Sequence, residues 1–153
     1  GAVGGKLTYP DGKLQHTGIV LLPSGPTHVN ISKPGNFPGY FGSTLTPRNY
    51  LAITAAAMLT SSEAFDAVGG FDRAFARDFN DVDYCLRLRD AGYRVAWTPY
   101  AEFIHHEGAS IVRKAADHGE LAEFSERWAE RYPVDPFYSP AFNQHLERLY
   151  EPL

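Results

Sequence analysis

Apolar positions fall in short runs near the start of the chain and at helical spacing through its middle. Ala2–Leu7 and Leu14–Leu22 read as β-like runs separated by Tyr9-Pro10-Asp11-Gly12, where Pro10 fixes φ and Gly12 permits a tight reversal. Pro23 to Pro47 is crowded with Gly and Pro and predicts a long loop with one short strand at Thr27–Ser32. Tyr50–Thr60 is apolar almost throughout, which fits either a strand buried on both faces or a central helix turn. Ser61-Ser62-Glu63 offers N-cap chemistry for a short helix, Glu63–Val68, ended by Gly69-Gly70. Val82, Cys85 and Leu86 stand at i, i+3 and i+4 and predict a helix over Asp81–Ala91, with Asn80 as N-cap and Gly92 closing it. Tyr93–Trp97 and Ala101–His106 read as strands parted by a Thr98-Pro99 turn. Leu121, Phe124 and Trp128 mark one face of a helix near Glu120–Tyr132, and a last helix is expected over Pro140–Tyr150. Strands and helices mixed in this order predict an α/β class.

The remaining composition narrows the picture. At 153 residues, with 44% hydrophobic and 21% charged positions, one folded domain spanning 1–153 is expected. A formal charge of −4 carries no basic stripe, so no nucleic-acid partner is expected. The longest uncharged stretch around the apolar centre, Asn49 to Ser62, is too short for a membrane-spanning helix. The single cysteine, Cys85, excludes an internal disulfide and a cysteine-based zinc site, and reads as a small buried hydrophobe.

Two stretches carry candidate chemistry. In Phe79-Asn80-Asp81-Val82-Asp83, two carboxylates fall in the first turn of a helix, where the dipole and unpaired N–H groups favour the anion. Either could be an ordinary helix-start residue, or a general base for a substrate hydroxyl. In Phe103-Ile104-His105-His106-Glu107, a strand turns His105 towards the face of Ala101 and Phe103 and His106 towards that of Ile104, so the pair cannot chelate one ion together. One of them could bind a divalent cation beside carboxylates from elsewhere, or serve as a hydrogen-bonded histidine at a strand end. His16, His28, His118 and His145 have no partner at a recognisable spacing and read as structural or surface residues. Phe37, Tyr40 and Phe41 lie in the Gly/Pro-rich loop, where they either line a cleft or pin the loop. No Walker, Rossmann or nucleophile-elbow motif is present.

In series, these segments resemble the middle of a bacterial family 2 glycosyltransferase. The resemblance runs over about residues 1–110. It is carried by Gly1-Ala2-Val3-Gly4-Gly5-Lys6-Leu7, Tyr9-Pro10-Asp11-Gly12-Lys13-Leu14-Gln15-His16, Thr54-Ala55-Ala56-Ala57-Met58-Leu59 and Val68-Gly69-Gly70-Phe71-Asp72. Phe79 to Arg89, Ala91 to Val95, Trp97 to Ala101 and His105-His106-Glu107 continue it, and Trp128 to Tyr138 fits the usual tail.

The resemblance implies a partial GT-A fold, a mixed sheet flanked by helices, and sugar transfer from a nucleotide-sugar donor to a glycan or lipid-linked acceptor with inversion. It puts the catalytic base at Asp81, with Asn80 standing where the family usually has Glu. It puts substrate binding at Thr54, Ala55, Ala56, Gly70, Asp72, Asn80 and Asp83, and a metal ligand at His105, with His106 as the neighbouring alternative. The family's Asp-x-Asp metal motif belongs to an N-terminal nucleotide-binding half, which is expected to be missing from this sequence. The chain is therefore expected to be the C-terminal, acceptor-side half of such a domain, inactive alone and using Mn²⁺ or Mg²⁺ only with the other half. By the same logic the protein is expected to be cytoplasmic, peripheral at the inner membrane face, and to form a homodimer or swapped assembly through exposed sheet edges. The rival readings are a glycan-binding module working through Phe37–Phe41 and a structural domain without chemistry. The transferase reading requires Asp81 and His105 to open onto a common cavity.

Overall fold

The computed structural model describes residues 1–106, 118–145 and 148–153. Glu107, grouped above with the two histidines, lies outside them. In chain order the elements are β1 (Ala2–Thr8), β2 (Leu14–His16), β3 (Ile19–Leu22), β4 (Gly25–His28), β5 (Arg48–Asn49), β6 (Met58–Thr60), α1 (Ser62–Ala67), α2 (Asn80–Asp90), β7 (Val95–Ile104) and α3 (His118–Trp128). The class is mixed α/β, as the sequence predicts.

The main sheet is built on β1. β7 pairs with it in parallel, β6 runs antiparallel along Ala2–Gly4, and β2 runs antiparallel at Leu7–Thr8. β5 closes the far side, antiparallel to β7. β3 and β4 form a separate hairpin, with Ile19 opposite His28. The Gly4-Gly5 pair in β1 follows from close approach: a Cβ on Gly4 would lie 2.9 Å from the Ile53 side chain, and one on Gly5 would lie 2.7 Å from the Ala101 carbonyl.

Several elements differ from expectation. Thr98-Pro99 does not divide two strands; β7 continues through it as a bulge. Gly4 pairs with Trp97 but Lys6 pairs with Glu102, where unbroken pairing would give Pro99. Pro99 has no N–H for the ladder, so the strand loops outward at that point and rejoins. The apolar run Tyr50–Thr60 is neither a long strand nor a helix turn. Its buried first half, Tyr50 to Ile53, is core without a strand, and a 3-10 turn at Ala55–Ala57 precedes β6. The strand expected at Thr27–Ser32 is β4, and the helix expected at Glu120–Tyr132 is α3, shifted towards the N-terminus. No described residue within Pro140–Tyr150 is α-helical; Phe142 instead makes an antiparallel bridge to Pro152.

The core joins the inner face of α2 to the sheet through Val82, Tyr84, Cys85, Leu86 and Leu88, with Trp97, Tyr50 and Phe75 among its largest buried side chains. Cys85 is buried, as expected. Asp135 ties the C-terminal segment to β3: its Oδ2 accepts the Leu21 N–H at 2.8 Å and its Oδ1 the Phe137 N–H at 2.7 Å. Gly18 sits at φ +127°, and a Cβ there would lie 2.3 Å from the Tyr50 ring. Gly18→Ala is expected to lower stability by about 2–4 kcal/mol through combined overpacking and backbone strain, read as a lower urea midpoint. Among the described residues no helix is long and apolar enough to cross a membrane.

Candidate active site

Helix α2 begins one residue earlier than expected, at Asn80. Phe79, not Asn80, is the N-cap; it sits at φ 62° and supplies no side-chain hydrogen bond. Its ring stacks on Phe124 of α3 at 5.1 Å between centroids, a packing contact that ties the N-cap residue to α3. The turn before it is held from α3 as well. Glu120 Oε1 accepts the N–H groups of Ala76 and Arg77, and Oε2 accepts that of Asp78 at 2.7 Å. Asn80 thereby becomes the first helical residue.

Asp81 follows in the first turn and is only partly buried. Its Oδ2 accepts the Ala55 N–H at 3.0 Å and its Oδ1 accepts the Val82 N–H at 2.9 Å. Two backbone donors fix the position of the carboxylate, while each oxygen keeps a second lone pair for another donor. Thr54 shapes the facing segment, its Oγ1 accepting from Ala56 N–H at the start of the 3-10 turn. Ala55 and Ala56 are exposed beside it.

Asp83 has a different setting. It is 0% exposed, and its Oδ2 accepts from Arg87 Nε at 2.8 Å. Its Oδ1 accepts from Trp128 Nε1 at 3.0 Å and Arg127 Nη1 at 3.1 Å. Arg87 also donates to the carbonyls of Val68 and Gly70, and Arg127 to Asp72 Oδ2 at 2.7 Å. Asp83 is thus the centre of a network that fastens the 68–72 loop and α3 to α2. Gly70 and Asp72 belong to the same network. The Ala74 N–H, followed by the Arg127 guanidinium, holds the Asp72 carboxyl below its ordinary range.

His105 directly follows β7. Its N–H donates to the Thr8 carbonyl at 2.9 Å, and its Nδ1 lies 2.8 Å from Gln15 Oε1. With the amide oxygen as acceptor, the imidazole proton sits on Nδ1 and the lone pair on Nε2, the arrangement suited to a metal ligand. His106 is exposed. Among the described residues, however, no group of three or more His, Cys, Asp or Glu side chains is assembled to hold a cation. His105 therefore stands as a single imidazole, with Nε2 open to a further ligand.

The histidines read as partnerless provide the main surprise. His16 is fully buried on β2, its Nδ1 3.2 Å from His28 Nδ1, and its Nε2 accepts the Thr54 N–H at 3.4 Å. Twelve residues separate the pair, a spacing without meaning until the β3–β4 hairpin folds one towards the other. Burial, with a smaller contribution from His28, pushes the His16 imidazole well below its ordinary value of 6.5. Since the folded value is depressed, the unfolded chain binds the extra proton in the window below 6.5. Stability is therefore present above that value and lost as pH falls. The expected loss is on the order of 1 kcal/mol as pH falls from about 7.5 to about 5.5, beyond that of a His16→Gln chain, read from urea midpoints.

Contacts link Asp81 and His105 in steps. Asp81 bonds Ala55, Thr54 bonds His16, and Gln15, next to His16, bonds His105. Two cavities, of about 520 and 270 Å³, lie elsewhere: one beside Arg48, Asp135 and Phe137, the other between Leu22 and Trp128. Neither is lined by Asp81 or His105, so the expected common cavity is not one of these two. The two groups, both half-buried and not walled off in the core, are joined through the Thr54, His16 and Gln15 contacts. In the Gly/Pro-rich loop, Tyr40 packs against Phe142 with centroids 4.7 Å apart, pinning the loop, whereas Phe41 is 92% exposed.

The fold and this site define an α/β domain with a fixed, accessible carboxylate at a helix start. Comparison with known proteins adds relatives along nearly the whole chain. It is 41% identical over 156 residues, 97% of its length, to the uncharacterized protein y4gI of Sinorhizobium fredii. It is 37% identical over 159 residues, 95% of its length, to the O-antigen biosynthesis protein RfbC of Myxococcus xanthus. The chain spans only 17% and 12% of the lengths of these two curated relatives. A shorter match, 36% over 66 residues, covers 43% of this chain and 22% of an N-acetylglucosaminyl-diphospho-decaprenol L-rhamnosyltransferase of Mycobacterium tuberculosis. No family model and no solved structure matches the chain.

Proposed function

We propose that this chain is the acceptor-side part of a family 2 glycosyltransferase, with Asp81 as general base. The observation that carries the reading is the setting of Asp81: a partly exposed carboxylate in the first turn of α2, held by the Ala55 and Val82 N–H groups. The names of the relatives, O-antigen biosynthesis protein and L-rhamnosyltransferase, support sugar transfer as the class of reaction.

In this reading the donor is a nucleotide-sugar and the acceptor a hydroxyl of a glycan or lipid-linked saccharide. Such a hydroxyl is a weak nucleophile near neutral pH. Asp81 takes its proton as the oxygen bonds to the anomeric carbon, and the bond to the nucleoside diphosphate breaks on the opposite face. The diphosphate departs with the bonding electron pair, and the configuration inverts. Thr54, Ala55 and Ala56 border the acceptor at the exposed edge of the 3-10 turn. Asn80 lies beside the base, and Gly70, Asp72 and Asp83 act through the ion-paired network that sets the position of α2.

The test uses the full-length protein that carries these residues, offered UDP-, GDP- and dTDP-linked sugars with lipid-linked saccharide acceptors. Release of nucleoside diphosphate with a product of inverted anomeric configuration by NMR supports the reading. Retained configuration, or binding of acceptor without release from any donor, sinks it.

A further inference from the structure

The segment facing Asp81 is tied on two sides within three residues. The Ile53 carbonyl accepts from Cys85 Sγ of α2 at 3.7 Å, the Thr54 N–H donates to His16 Nε2 of β2, and the Ala55 N–H donates to Asp81 Oδ2 of α2. His16 is the tie from the sheet side. A fully buried imidazole costs more than a hydrocarbon of equal size unless its nitrogens are matched, and both are matched here. Because Nε2 accepts from a backbone N–H, the ring proton belongs on Nδ1, which then donates to His28 Nδ1. Nδ1 consequently has no lone pair to offer a cation, so the two imidazoles form an oriented hydrogen-bond sequence and not a chelate. Their edge-on contact, with centroids 5.0 Å apart and planes at 74°, suits that arrangement.

We propose that His16, oriented by His28, is a positioning residue for Asp81: it anchors the Ile53–Thr54 peptide so that the next peptide presents the Ala55 N–H to the carboxylate. This rests on the reading of Asp81 as base. The same stretch of β2 serves the other candidate, since Gln15 holds His105 Nδ1. His16 thus sits where the supports of both meet, without touching either.

The two isosteric amides separate this role from mere packing. Gln sets its carbonyl oxygen near the place of imidazole Nε2 and can still accept from Thr54; Asn sets its polar atoms near Nδ1 and cannot. In the full-length protein, amide hydrogen exchange by NMR at Ala55 is compared with that at Tyr93, whose N–H bonds the Leu88 carbonyl at the far end of α2. In His16→Asn the Ala55 amide is expected to exchange about tenfold faster with Tyr93 unchanged, and His16→Gln restores it. kcat for nucleoside diphosphate release should follow the same order, with KM unmoved. Equal acceleration at Ala55 and Tyr93, identical behaviour of the Gln and Asn chains, or no change at Ala55 overturns the proposal. The base reading is judged separately: full turnover in Asp81→Asn overturns it, whatever the exchange at Ala55 shows about the clamp.

Discussion

Asp81→Asn in the full-length protein is expected to lower kcat by about a hundred- to ten-thousand-fold, the usual contribution of a positioned general base. The substitution keeps the size of the side chain and one of its two acceptor oxygens. Either the Ala55 or the Val82 N–H therefore retains its partner, and the start of α2 stays in place. What disappears is an anionic oxygen able to take a proton while the acceptor hydroxyl attacks. KM and acceptor affinity should stay within roughly threefold, because the loss falls on the transition state and not on ground-state binding. A glycan-binding module acting through the exposed Phe41 behaves oppositely: Asp81→Asn leaves its affinity intact, and Phe41→Ala weakens it. Initial-rate kinetics beside acceptor titration reads both.

The second large effect concerns stability. Asp83→Ala is expected to cost about 3–5 kcal/mol, a large share of the roughly 5–15 kcal/mol that holds a domain together. The variant leaves the Trp128 N–H unpaired in the core and removes the shared anion between Arg87 and Arg127. Both arginines keep other acceptors, Val68, Gly70, Asp72 and Glu123, and both reach partly to solvent. That relief puts the expected value towards the lower end of the range. Urea unfolding at neutral pH measures it, and a loss below about 1 kcal/mol would mean the network adds little beyond a surface ion pair.

Parts of this architecture are legible in the residues because the physics is local. Ser61 caps α1 as expected, its side chain accepting the Ala64 N–H, and the i, i+3, i+4 spacing of Val82, Cys85 and Leu86 finds the buried face of α2. The Pro10-Asp11-Gly12 reversal is likewise local, closed by the Gly12 N–H on the Tyr9 carbonyl. Other features depend on distant partners. Asn80 has better capping chemistry than Phe79, yet the N-cap is Phe79, stacked on Phe124 45 positions away. Asp81 and Asp83 are the same residue type two positions apart, but only tertiary structure makes one accessible and the other buried. The arginine and tryptophan that hold Asp83 arrive on α3, beyond any local pattern. His16 and His28 gave no signal because their meeting requires the register of a hairpin. Buried polar residues inside an apolar run, such as Gln15-His16-Thr17, are the one hint a sequence could offer.

The outward loop in β7 has a consequence for reach. Three surplus residues between Trp97 and Glu102 are stored to the side of the strand, and the chain re-enters the ladder with Ile104 level with Thr8. Drawn straight, the same chain would carry its distal imidazole about 10 Å beyond its present place, at roughly 3.3 Å for each of three residues, out of range of Gln15. The stored slack works as a length adjuster. Related chains could extend or retract that imidazole by changing the number of residues parked there, with the rest of the sheet undisturbed.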